Sequence, residues 1–292
     1  MENINNKFEQ QLNRHGYGFQ YTVLELLKKL ANEGRSNWLF EAAEFPVEVQ
    51  GVGTQIDFIL RYRTTQLFIL AECKRVDPKF NNWCFVKAPY VRRNRNYESY
   101  FVDHVEYNYN EFFPENSCLI TGEELITPVT EYRTYHIGFI VKSHNIKGES
   151  GKTENDAIEK ATTQICRGLN GLIELLSKRP SLIKKEEKNN IINSGATFLP
   201  VIFTTAKIFT CDHDISLANI EDGKLDLYDE KIVTKDWILY QYHISPNIKH
   251  LCKPGQITNK FAEVLDQEYV RTIAIVSVEG INDFMKYFDS IF

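Results

Sequence analysis

The spacing of hydrophobic residues changes period along the chain, and each change predicts an element. Over 18–33 (GFQYTVLELLKKLANE), Phe19, Val23, Leu26, Leu27 and Leu30 recur at helical intervals, and Gly34 is placed to end the helix. Residues 38–50 (WLFEAAEFPVEVQ) read as extended, with Pro46 marking an edge or a bulge and Gly51 and Gly53 a turn. Two runs then lose nearly all their polar positions, 54–62 (TQIDFILRY) and 66–76 (QLFILAECKRV). Strands that are apolar on almost every position are covered on both faces.

Residues 77–135 change character. They are rich in Tyr, Asn, Arg and acidic residues, punctuated by Pro78, Pro89, Pro114 and Pro128, and read as an insertion rather than core. A strand follows at 135–143, then a Gly/Ser/Lys loop and a long helix over 154–178 with Thr153 as candidate cap. Residues 179–194 read as a surface turn or short helix. Strands are expected at 198–210, 235–244 and 270–278, and a closing helix at 280–291. No internal repeat or low-complexity tract is visible. This order implies an α/β protein with a central mixed β-sheet flanked by helices. Residues 1–292 are read as one domain, with the 77–135 insertion set into it.

Composition narrows the function classes. Apolar residues make up 43% and charged residues 25%, the profile of a folded globular chain. The formal charge of −5 disfavours a protein that coats DNA without regard to sequence, yet allows an enzyme with a local basic groove. Six cysteines are scattered with no CxxC pair and no zinc spacing, so they read as reduced thiols. No apolar run approaches the roughly 20 residues of a membrane helix, and the polar N-terminus is no signal peptide. A cytoplasmic location without membrane attachment is expected.

The two apolar runs carry the candidate chemistry. If Arg63 to Gln66 form the turn of an antiparallel hairpin, Tyr62 pairs with Leu67, and the register sets Asp57 opposite Glu72 and Gln55 opposite Lys74. The side-chain period of two then puts all four on one face, with Cys73 on the other. Carboxylates directly opposite one another repel unless a cation lies between them. Hard oxygen ligands suit Mg²⁺ or Mn²⁺. Lys74, two residues past Glu72, can reach a phosphate oxygen or orient an attacking water. Metal, carboxylates and ammonium together are what phosphodiester hydrolysis requires.

The stretch GTQIDFIL…LFILAECKR resembles the core of the PD-(D/E)xK nuclease superfamily, which includes restriction enzymes, recombination exonucleases and phage-defence nucleases. The resemblance covers residues 19–76, with support from 154–210. It implies a restriction-endonuclease-like core, Asp57 and Glu72 as metal ligands, and Lys74 as the catalytic lysine. It also implies a further metal-binding Glu on the preceding helix, for which Glu25 is the candidate and Glu44 and Glu48 on the next strand are rivals. Gln55, by its place on the same face, is a candidate supporting residue for water or phosphate, and the likeness adds Gln164 on the 154–178 helix. Two departures stand out: Ile56 precedes Asp57 where the family often has Pro, and the helix expected soon after the lysine does not arrive until about residue 154.

Within the insertion, KAPYVRRNRNYESYF interleaves Lys87, Arg92, Arg93 and Arg95 with Tyr90, Tyr97 and Tyr100. Cations neutralise phosphates and rings stack on bases, so this is a candidate nucleic-acid surface. The competing reading is a solvated loop whose charges pair with Glu98 and Asp103. The expected partner is nucleic acid, DNA ahead of RNA on the family likeness, with a homodimer or a partner protein of a restriction or antiviral defence system as further expectations. The alternative function is a catalytically inactive subunit that keeps the fold and binds nucleic acid or a partner.

Overall fold

The computed structural model describes residues 4–89, 97–108, 117–128, 131–142, 156–178, 194–227, 232–243 and 270–291. Two helices open the chain, α1 (Ile4–His15) and α2 (Tyr17–Asn32), followed by the strands β1 (Trp38–Val49), β2 (Val52–Tyr62) and β3 (Leu67–Lys74). Then come β4 (Asn82–Val86), β5 (Tyr97–Asn108), β6 (Ser117–Pro128), β7 (Thr134–Tyr135) and β8 (Ile137–Val141). Helix α3 (Asp156–Lys178) leads to β9 (Ser194–Thr204), β10 (Lys207–Cys211), β11 (Val233–Lys235), β12 (Trp237–His243), β13 (Val270–Ser277) and a last helix, α4 (Ile281–Ile291).

The large sheet runs β1-β2-β3-β9-β13-β12-β7, and a β5–β6 hairpin joins it on β9. It is mixed: β3, β9 and β13 are parallel, while β1, β2 and β3 form an antiparallel meander. The fold is therefore α/β with a central mixed sheet flanked by helices. Strand β9 is a branch point, for its first half pairs with β5 and its second half with β13, while β3 lies along its other edge.

Both faces of this sheet are covered, as the uninterrupted apolar runs require. On one face α3 lays Ile165, Leu169 and Ile173 over Ile56, Ile59, Leu70 and Ile202. On the other, α2 and α4 pack Val23, Leu24, Leu27, Phe284 and Phe288 against Phe58, Leu60, Ile69, Val201 and Phe203. Each side chain so buried contributes about 1.5–3 kcal/mol. Helix α3 comes close enough for its glycines to matter: a Cβ on Gly171 would stand 2.8 Å from Val47 Cβ, and one on Gly168 2.9 Å from Ile56 Cγ1.

A second, four-stranded sheet, β11-β10-β4-β8, was not foreseen from sequence. Its inner face buries Trp83, Phe85 and Ile208 in the α3-side core, and its outer face lines an apolar cleft of about 290 Å³ between Cys84, Phe139, Phe209 and Leu227. The expected run at 198–210 is two strands, one in each sheet, separated at Thr205–Ala206. The 77–135 segment is also different from its reading as an insertion outside the core. It supplies strands to both sheets and buries Trp83, Phe85, Tyr100, Val102 and Val105. A buried Arg271–Asp103 pair ties β13 to β5, with Arg271 Nε donating to Asp103 Oδ2 at 2.7 Å and a second bond parallel to it. Among the described residues, no helix is long and apolar enough to cross a membrane.

Candidate active site

The β2–β3 ladder follows the expected hairpin register as far as Phe58↔Ala71, and there the strands part. β3 continues alone along β9 to Lys74↔Thr204. Asp57, next in register, stands opposite Glu72 at the mouth of this fork. The Cys73 N–H, which a regular ladder would carry to a β2 carbonyl, donates instead to Asp57 Oδ2 at 2.6 Å. The aspartate thus bridges the opening strands and is held by backbone.

Glu72 is only 2% exposed, and Asp57 is half-buried beside it. Burial, then the charge of Asp57, pushes the Glu72 carboxyl up to about 8 against the pull of Lys74. Burial likewise raises Asp57 to about 6, opposed by its bond from Cys73 and the charge of Lys74. Lys74 Nζ lies 2.6 Å from Glu72 Oε1 and donates to Gln164 Oε1 of α3 at 2.9 Å. The Cys73 side chain points to the opposite, α2-side core, and burial lifts its thiol well above the ordinary range, so it is no nucleophile.

The structure therefore brings together Asp57, Glu72, Lys74 and Gln164. It does not bring Glu25 to them. Glu25 lies on the outer face of α2, with its side chain 69% exposed and paired to Lys28 at 2.9 Å, so its expected metal role is corrected here. The reason is helical phase. The buried positions of α2 are Gln20, Val23, Leu24, Leu27 and Leu30, and residue 25 falls outside that stripe. The polar residue within the stripe is Gln20, which the sequence reading passed over. Its Nε2 donates to Glu44 Oε1 at 2.5 Å and to the Asp57 carbonyl at 3.2 Å. Glu44 faces Asp57 across the β1–β2 ladder, whereas Glu48 is exposed. Gln55 is also exposed, opposite Pro46 in the β1–β2 ladder.

On the expected nucleic-acid surface, Arg92, Arg93, Arg95 and Tyr90 lie outside the described residues. Lys87 is half-buried just beyond β4 and, after the Ser216 hydrogen bonds, contributes to holding the Asp214 carboxyl below its usual range. Tyr97 is 46% exposed, but Tyr100 is buried with its hydroxyl 2.7 Å from that of Tyr287, so it is no stacking platform. Glu98 and Asp103 are engaged by the Arg133 N–H with the Thr134 hydroxyl and by Arg271, respectively. They are committed to the core, not to the arginines of the loop.

Two carboxylates converge at the fork. Among the described residues, no three His, Cys, Asp or Glu side chains are grouped so as to hold a metal ion. Comparison with models of known families, with curated proteins and with solved structures finds no match.

Proposed function

We propose that this chain is a divalent-metal-dependent nuclease of the PD-(D/E)xK type, hydrolysing phosphodiester bonds in DNA in preference to RNA. The observation that carries the reading is the buried Asp57–Glu72 pair at the strand fork, with Lys74 beside it. The donor set suits a hard cation. Both carboxyls are held above their ordinary range, so a dication would favour the ionised pair that burial opposes. Asp57 and Glu72 would hold Mg²⁺ or Mn²⁺, and the bound ion supplies a Lewis acid for the phosphoryl oxygens and the attacking water.

The chain's own groups do the rest. Lys74 presents its ammonium to the phosphate, and Gln164 fixes where that ammonium stands. The cover of α3 keeps water from one side of the pair and so strengthens each charge interaction there. The arginines of the 90–96 stretch are proposed to hold the substrate backbone. Restriction or phage defence in the cytoplasm is the setting the family likeness suggests. The second reading, a non-catalytic subunit that binds nucleic acid or a partner, is favoured by the convergence of two carboxylates rather than three among the described residues.

The test is cleavage of plasmid, linear duplex, single-stranded DNA and RNA with Mg²⁺ or Mn²⁺. Wild type should cleave, while Asp57→Ala, Glu72→Ala and Lys74→Ala should lose at least about 100-fold in rate. Absence of cleavage by wild type on every substrate selects the second reading. Wild-type rates in Asp57→Ala would show that the centre lies elsewhere.

A further inference from the structure

Strands β1 and β2 keep one register on either side of residues 44 and 57, with Ala43↔Phe58 and Phe45↔Ile56 as the flanking pairs. The faces nevertheless slip. Ala42 and Phe45 both pack on the α3-side core, although residues three apart in a strand should face oppositely. Ile56 and Ile59 do the same, while Ala43 and Phe58 between them pack on the α2 side. β1 already shifts register between Phe40 and Ala42, and beyond that shift each strand carries one residue out of phase, Glu44 in β1 and Asp57 in β2. The two slips cancel in register and coincide at the fork.

Glu44 sits at φ +49, in the left-handed region that side chains with a Cβ rarely adopt. Among the described residues one other non-glycine does so, Gln50 in the β1–β2 turn. Glu44 has no turn to explain it, and a strained residue in mid-strand persists only where its surroundings enforce it. What encloses it is Gln20, 5% exposed on the apolar stripe of α2, whose single amide nitrogen spends both hydrogens here, on Glu44 Oε1 and the Asp57 carbonyl.

We infer that Gln20 and Glu44 are positioning residues: the Gln20 amide locks the paired bulge that turns the Asp57 carboxylate out of the ladder and onto the Cys73 N–H, facing Glu72. The functional part of this inference rests on the metal-nuclease reading, but the geometric part does not. A merely structural Gln20 is replaceable by leucine, which matches its size and suits its buried place. A positioning Gln20 is not.

The experiment compares wild type with Gln20→Leu, Glu44→Gln and Asp57→Ala. It reads thermal stability, amide hydrogen exchange at Cys73 and Mn²⁺ affinity by calorimetry. Gln20→Leu should melt within a few degrees of wild type, yet lose at least about tenfold in protection at the Cys73 amide, approaching Asp57→Ala, and bind Mn²⁺ at least about tenfold more weakly. Glu44→Gln keeps an oxygen to accept from Gln20 and should stay within about threefold of wild type on both readouts. Cys73 protection unchanged in Gln20→Leu overturns the inference. So does a Glu44→Gln variant as impaired as Gln20→Leu, which would make Glu44 a ligand instead. Should Gln20→Leu fail to fold, Glu44→Gly, which relaxes the left-handed backbone while removing the acceptor, takes its place with the same expectations. Wild type that binds no Mn²⁺ while Gln20→Leu still frees the Cys73 amide would refute the metal reading and leave the positioning intact.

Discussion

Replacing Glu72 by Gln tests the electrostatics of the fork without touching its shape. In the metal-free protein the Glu72 carboxyl is raised from its ordinary 4.5 to about 8. The folded state therefore keeps a proton that the unfolded chain gives up above pH 4.5. This contribution to stability is complete below that pH and is lost as pH rises through 8. At roughly 1.4 kcal/mol per pH unit, the loss across this window is on the order of 5 kcal/mol. Solvent screening does not dilute it, because Glu72 is 2% exposed. An amide has no such proton to lose. Its oxygen still accepts from Lys74, but its new N–H₂ needs partners in a buried place, a cost of about 1–3 kcal/mol. Glu72→Gln should accordingly be less stable than wild type near pH 5 and more stable near pH 8. Urea denaturation at pH 5, 6, 7 and 8 in chelator-treated buffer measures this. Parallel pH profiles for the two proteins would refute the reasoning. Mg²⁺ added at pH 8 should restore about 2–3 kcal/mol to wild type at a hundredfold excess over its dissociation constant, and nothing to the variant.

Three further expectations follow from the packing and the loop. Gly171→Ala gains about 1 kcal/mol of helix propensity but drives a methyl to 2.8 Å from Val47 Cβ, so overpacking of about 1–3 kcal/mol should lower the melting temperature, and Val47→Ala, which keeps that Cβ, should not restore it. Arg271→Met leaves Asp103 buried without its partner and should cost about 3–5 kcal/mol in urea denaturation, whereas the paired replacement of both residues by apolar ones should recover most of it. Neutralising Arg92, Arg93 and Arg95 together should weaken DNA binding and flatten its dependence on salt by up to about three phosphate contacts; an unchanged slope would return this stretch to solvent.

The parts of the site legible in the sequence are those set by short range. The hairpin register followed from a four-residue connection and two apolar runs, and it placed Asp57, Glu72 and Lys74 correctly relative to one another. Gln164 was suggested by the family likeness and not by the pattern of the chain, and its Oε1 accepts from Lys74. Glu25 failed on phase, a distinction the Phe19–Leu30 stripe already contained, since residues 20, 23, 24 and 27 share one side of the helix. The bulge at Glu44 was not legible, for no glycine or asparagine marks a left-handed position there. The second sheet was hidden because its strands come from four separate stretches and pair at long range. The break between β9 and β10 carries neither glycine nor proline.

Strand β9 sets the order in which this protein can come into being. Asp57, Glu72 and Lys74 are synthesised well before residues 197–204, yet the strand that carries two of them lies along that stretch. The same strand also pairs with β5 and with β13 at residues 270–277. Pairings so distant in sequence form late, because closing long loops precedes any reward from contact. A nascent or truncated chain therefore owns all three charged residues while lacking the support of β9 beneath Glu72 and Lys74 and of α3 beside Lys74. Those side chains then stay in solvent, where water screens the repulsion of the two carboxylates. The charged cluster at the fork is therefore assembled only after residues 197–204 have joined β3, later than the local hairpin that supplies it.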